Sequence, residues 1–208
     1  TLLIKDLIDS DDRVHLFTRP RRFGKTTNLS MLDAFFNMEY KGNAWFDGLA
    51  ISDYEEYESY KNAFPAINLD MKDVNAPDYD CFLADMGAVI LEAFKEHAYL
   101  LDSPVIIEDE RILFDSLSKG TVDRTMLRFS IKKLSALLHR HHGRKVVVLI
   151  DEYDCAVSDS FGEASHRPMM DFLGDFMKAT IKGNKSLQMA YVTGIMQIAK
   201  ESIFSDLN

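Results

Sequence analysis

Gly24, Lys25 and Thr26 stand together inside TRPRRFGKTT, Thr18 to Thr27, a run that nearly spells G-x-x-x-x-G-K-[ST]. The chemistry open to such a run is phosphate binding. Backbone N–H groups at a helix N-terminus converge on the β- and γ-phosphates of a nucleotide, and the lysine adds a point charge. Arg21, Arg22, Phe23, Gly24, Lys25, Thr26 and Thr27 are therefore the candidate nucleotide-binding residues. Arg19 occupies the place of the first glycine. It needs a backbone conformation that a side chain permits, while Pro20 fixes its own φ and has no N–H to donate. The loop is expected to be stiffer and one donor poorer at its opening. Arg21 and Arg22 either face phosphate oxygens or pair with surface carboxylates.

A second constellation lies far along the chain. VVVLIDE is an apolar strand ending in Asp151 and Glu152, an arrangement by which a nucleotide hydrolase holds Mg²⁺ and orients water at a strand's carboxyl end. Asp151 is the expected metal-side carboxylate, and Thr26 offers its hydroxyl to the same ion. Glu152 is the expected general base. The plainer alternative is an acidic strand end that starts a turn. LQMAYVTG ends in Thr193, which either senses the γ-phosphate or is satisfied by backbone.

Four strands are expected to position these groups: VHLFTRP, FPAINLDMK, KVVVLIDE and LQMAYVTG. The third is so uniformly apolar that it suits a central parallel strand covered on both faces. Helical periods fall between them: Leu29, Leu32 and Phe36; Phe82, Met86, Val89 and Phe94; Leu127, Ile131, Leu134 and Leu138. Pro168 opens a further helix that buries Phe172, Phe176 and Met177, with Gly183 placed to end it. Strand–helix alternation implies a three-layer α/β sandwich with a mostly parallel sheet.

The composition permits one such domain, 208 residues with 47% hydrophobic. Lys and Arg total 24 against 33 Asp and Glu, and the net charge of −9 opposes non-specific binding to nucleic acid. Cys81 and Cys155 have no metal-ligand spacing and make no disulfide framework, which suits a reducing cytoplasm. No apolar run approaches a membrane span of roughly 18 residues, so a soluble protein is expected. The chain begins at Thr1, without methionine, and a longer protein is expected around it.

Four segments together resemble the predicted AAA-ATPase-like proteins of bacteria, archaea and some anaerobic fungi: LFTRPRRFGKTTNLSML, WFDGLAI, VVVLIDEYD and YVTGIMQIAKESIFSDLN. They span nearly the whole chain. The resemblance implies that R-P-R-R-F-G-K-T is the family's own phosphate loop and Arg19 a tolerated variant. It also implies an additional-strand P-loop ATPase core over residues 1–208 that uses ATP and Mg²⁺, with Walker A and Walker B motifs as above. The lid is expected to be missing. Many members continue into a C-terminal nuclease-like domain, so a fused domain of that kind or a homo-oligomer is the partner implied. The position of Gln197 is often basic in relatives, and a sensor charge there is absent.

Other features have plainer readings. HRHHG, His139 to Gly143, reads as a helix end ahead of a metal site. Asp154 either serves the site or begins a turn. Asp70 and Lys72 give the D-x-K half of a nuclease site, a rival that leaves the phosphate loop unexplained. Arg111, Arg124, Arg128, Arg140, Arg144 and Arg167 are candidate arginine fingers, none marked by a motif. An ATP-gated interaction module with negligible turnover is the other reading; Glu152 argues for hydrolysis.

Overall fold

The structure, a computed structural model, describes residues 1–74, 77–155, 160 and 162–195. Helix α1 (Leu2–Asp9) leads to β1 (Val14–Thr18), the loop, and α2 (Lys25–Phe36). A segment of short helical turns containing α3 (Tyr57–Tyr60) precedes β2 (Ala66–Asp70), then α4 (Tyr79–Glu96), α5 (Glu108–Ser118) and α6 (Arg124–His142). β3 (Val146–Asp151), α7 (His166–Ile181) and β4 (Leu187–Gly194) follow among the described residues. The four strands form one sheet, every pairing parallel, in the order β1-β4-β3-β2.

β3 is buried at every residue, as its unbroken apolar run requires. Its side chains alternate between two cores, which is the period of a strand. Val146, Val148 and Ile150 join Phe82, Met86, Ile131 and Phe172 on the face covered by α4 to α7. Val147 and Leu149 join Leu32, Phe35 and Phe36 of α2 with Ile4 and Leu7 of α1 on the other. The sheet is therefore sandwiched between helical layers.

Element ends follow local chemistry. Asp78 and Asp123 cap α4 and α6, accepting from Cys81 N at 2.8 Å and Met126 N at 2.7 Å. Gly143, at φ 67°, ends α6 in the left-handed conformation, so HRHHG is a helix end. Pro168 sits in the first turn of α7, where it removes no intrahelical bond. No described helix is long and apolar enough to cross a membrane.

Candidate phosphate and metal site

Parallel pairing fixes where the chemistry must gather. Thr18 is level with Gly194, Phe17 with Thr193, and Asp70 with Asp151, so four strand ends share one edge of the sheet. Arg19 N donates to Gly194 O at 3.1 Å and ties the start of the loop to the end of β4.

The loop then turns into α2. Gly24 is its N-cap at φ 74°, in the left-handed region that glycine enters without a Cβ penalty, and no side chain caps this end. First-turn N–H groups have no intrahelical acceptor, so those of Lys25, Thr26 and Thr27 are open to an anion. Arg22 also has positive φ, 68°, and Arg19 does not. The loop's one non-glycine backbone strain thus falls inside it, not at the position that lacks glycine. Lys25 is 4% exposed. Its Nζ donates to Arg19 O at 3.1 Å and Pro20 O at 3.4 Å, which satisfies a buried cation with carbonyls from the loop's opening. The Arg19 guanidinium lies over the Phe17 ring, 5.1 Å from its centroid. Arg21, Arg22, Phe23, Thr26 and Thr27 are exposed.

Across the edge, Thr26 Oγ1 donates to Asp151 Oδ2 at 2.7 Å, joining residues 125 apart. Thr193, fully buried, donates its hydroxyl to Asp151 Oδ1. Glu152 N adds a bond to the same oxygen at 3.1 Å and one to Thr193 Oγ1 at 3.3 Å. Three donors thus converge on one buried carboxylate, the satisfaction that such a group requires. Glu152 is held at φ 51°, a left-handed conformation that costs a non-glycine residue of order 1–3 kcal/mol. Its Oε2 accepts from Cys155 Sγ at 3.1 Å. Burial, and next that bond, push the Cys155 thiol up to about 12.

Thr26 and Asp151 form a hard oxygen pair of the kind Mg²⁺ takes when substrate phosphates and water complete its shell. Among the described residues no group of three or more His, Cys, Asp or Glu is placed to hold a metal alone. The pair fits an ion that arrives with a phosphate.

The other sequence candidates bond partners outside this cluster. Asp70 accepts from Lys72 Nζ at 2.7 Å and from Lys72 N at 3.0 Å, an ion pair beside the site. Arg111 donates to Leu101 O, Arg124 and Arg128 to Asp175, and Arg140 to Glu110, while Arg167 pairs with Asp171. His141 bonds Ser103 and His142 bonds Tyr99. Gln197 lies outside the described residues.

Two contacts escape sequence reading. Asp154, 1% exposed, accepts from Ile195 N at 2.8 Å and clips the turn after β3 to the end of β4. A Cβ at Gly194 would stand 2.6 Å from both Asp154 Oδ1 and Tyr153 Cε1, so glycine is required there. Thr-Gly at a strand's end was the only signal available.

A family model described as Predicted AAA-ATPase matches residues 1–204, and the chain belongs to that family. Comparison with curated proteins and with solved structures finds no match.

Proposed function

We propose that this member of the predicted AAA-ATPase family is a P-loop ATPase domain that binds ATP with Mg²⁺ and hydrolyses it at the sheet edge. One observation carries the reading: the Thr26 hydroxyl and the Asp151 carboxylate meet at 2.7 Å beside an uncapped helix N-terminus and the Lys25 ammonium. β4 lies between the loop strand and the acidic strand, which brings Thr193 beside Asp151 and supports the reading.

In this reading the first-turn N–H groups of α2 and the Lys25 ammonium bind the β- and γ-phosphates. To reach them, Lys25 exchanges its bonds to Arg19 O and Pro20 O for phosphate oxygens. Arg21 and Arg22, exposed on the loop, add charge at its rim. Thr26 and Asp151 would hold Mg²⁺, which would offset phosphate charge. Thr193 keeps Asp151 oriented through its hydroxyl, and in this reading it senses the γ-phosphate through that carboxylate. Glu152 takes the proton of the attacking water, and its strained backbone aims the carboxylate.

The gated-module reading keeps one observation in its favour: among the described residues Arg111, Arg124, Arg128, Arg140 and Arg167 all bond partners away from Asp151, Glu152 and the loop. Intrinsic turnover is therefore expected to be slow, since an arginine finger is worth 10³ to 10⁵ in rate by order of magnitude.

The test is phosphate release from ATP with and without Mg²⁺, for wild type and Lys25→Ala. Release is expected only with Mg²⁺, and Lys25→Ala is expected to weaken ATP binding at least tenfold, the loss of a charge-assisted contact of about 1.5–3 kcal/mol. Equal ATP binding by wild type and variant would remove the loop from the site.

A further inference from the structure

The backbone of Glu152 has little freedom left. Its φ is 51°, and its N–H is shared between Asp151 Oδ1 and Thr193 Oγ1. What remains is the side-chain rotor, and the next turn closes on it. Cys155 N donates to Glu152 O at 3.0 Å, and the same turn brings Cys155 Sγ to 3.1 Å from Glu152 Oε2. No other described side chain bonds this carboxylate, which leaves Oε1 open as an acceptor.

We propose that Cys155 is a positioning residue for hydrolysis: its S–H donates to Glu152 Oε2 and holds the carboxylate so that Oε1 meets the attacking water. The inference rests on the ATPase reading above.

A thiol suits this task on two counts. It must keep its proton to remain a donor, and burial with the adjacent carboxylate pushes it up to about 12. It must also hold the carboxylate without spending the basicity the reaction needs. Hydrogen bonds to a charged carboxylate lower its proton affinity, and S–H is a weaker donor than O–H. The thiol orients the base and takes no part in the proton transfer.

The experiment uses a Cys81→Ser background, in which Cys155 is the remaining thiol. Single-turnover hydrolysis and equilibrium ATP–Mg²⁺ binding are measured for this protein, Cys155→Ala, Cys155→Ser and Glu152→Gln. Cys155→Ala is expected to hydrolyse about tenfold more slowly, a fraction of the roughly 10² to 10⁴ that a general base contributes, with ATP affinity within about twofold. Cys155→Ser, which restores a donor, is expected to recover to within about threefold of the parent. In the nucleotide-free protein the infrared S–H stretching band is expected to shift in Glu152→Gln. A wild-type rate in Cys155→Ala, a loss of affinity equal to its loss of rate, or an unmoved S–H band overturns the positioning role, while an inactive Glu152→Gln leaves the ATPase reading standing. A parent that hydrolyses no faster than Glu152→Gln sinks the ATPase reading itself, and the role of Cys155 with it.

Discussion

Arg19 shows what the phosphate loop asks of its first position. The loop uses that residue's backbone: the N–H bonds Gly194 O, the C=O receives Lys25 Nζ, and the side chain turns away over Phe17. Positive φ falls at Arg22 and Gly24, so a side chain at 19 costs nothing there. Arg19→Gly is accordingly expected to bind ATP within about threefold of wild type and to be less stable by about 0.5–1 kcal/mol, the backbone entropy that glycine adds to the unfolded chain. Isothermal titration and urea unfolding check the two numbers; a loss of binding as deep as that of Lys25→Ala would show that the guanidinium itself holds phosphate. At this scale the sequence was legible where residue type dictates chemistry. Gly24, Lys25, Thr26, Asp151 and Glu152 could all be named from motif and spacing. The Cys155–Glu152 bond and the close approach of Gly194 to Asp154 could not, because each depends on a turn whose path no motif encodes.

The elements were legible in proportion to how far packing agrees with local pattern. All four strands lie within the expected segments, and β3 most plainly, because a strand buried on both faces leaves an unbroken apolar run. α4, α6 and α7 follow from their period. α1 and α5 also carry an apolar stripe, Ile4 with Leu7 and Leu113 with Phe114 and Leu117, so their pattern is present in the sequence although they are not among the expected elements, whereas the turns between α2 and β2 take their shape from distant partners. Asn62 is the example: at φ 50°, its side chain donates to Ala34 O, Phe35 O and Asn37 O and closes the C-terminal end of α2. A second joint links α4 to the opposite end of β2, where His97 Nε2 meets Ala66 O at 3.0 Å. Burial is the main cause that lowers His97 to about 4, with the Ala66 carbonyl opposing it. The unfolded chain binds this proton near pH 6.5 and the folded one only near 4, so the stability it contributes is present above pH 6.5 and lost as pH falls between those values. Wild type is expected to lose about 2 kcal/mol more than His97→Gln between pH 7 and pH 5 in urea unfolding. Identical losses would place the proton uptake elsewhere.

For the molecule as a whole, strand order does what no single motif can. It sets β4 between the loop strand and the acidic strand, so Thr193 lies beside Asp151 and the Gly194 carbonyl reaches the loop. The unbroken apolar run marks β3 as interior, but the full order could not be read from sequence, because only the pairing decides which neighbours meet. Family membership agrees with the ATP reading, and the division of labour between Asp151 and Glu152 is its most exposed part. Glu152→Gln keeps the shape and reach of the side chain but cannot take a proton from water. The deciding measurement is single-turnover ATP hydrolysis beside equilibrium ATP–Mg²⁺ binding for wild type and Glu152→Gln. The account predicts that the variant binds ATP as wild type does and hydrolyses it roughly 10² to 10⁴ times more slowly, a loss of about 3–5 kcal/mol of transition-state stabilisation. Equal rates for the two proteins, or no hydrolysis by wild type, would contradict it and leave ATP as a gating ligand.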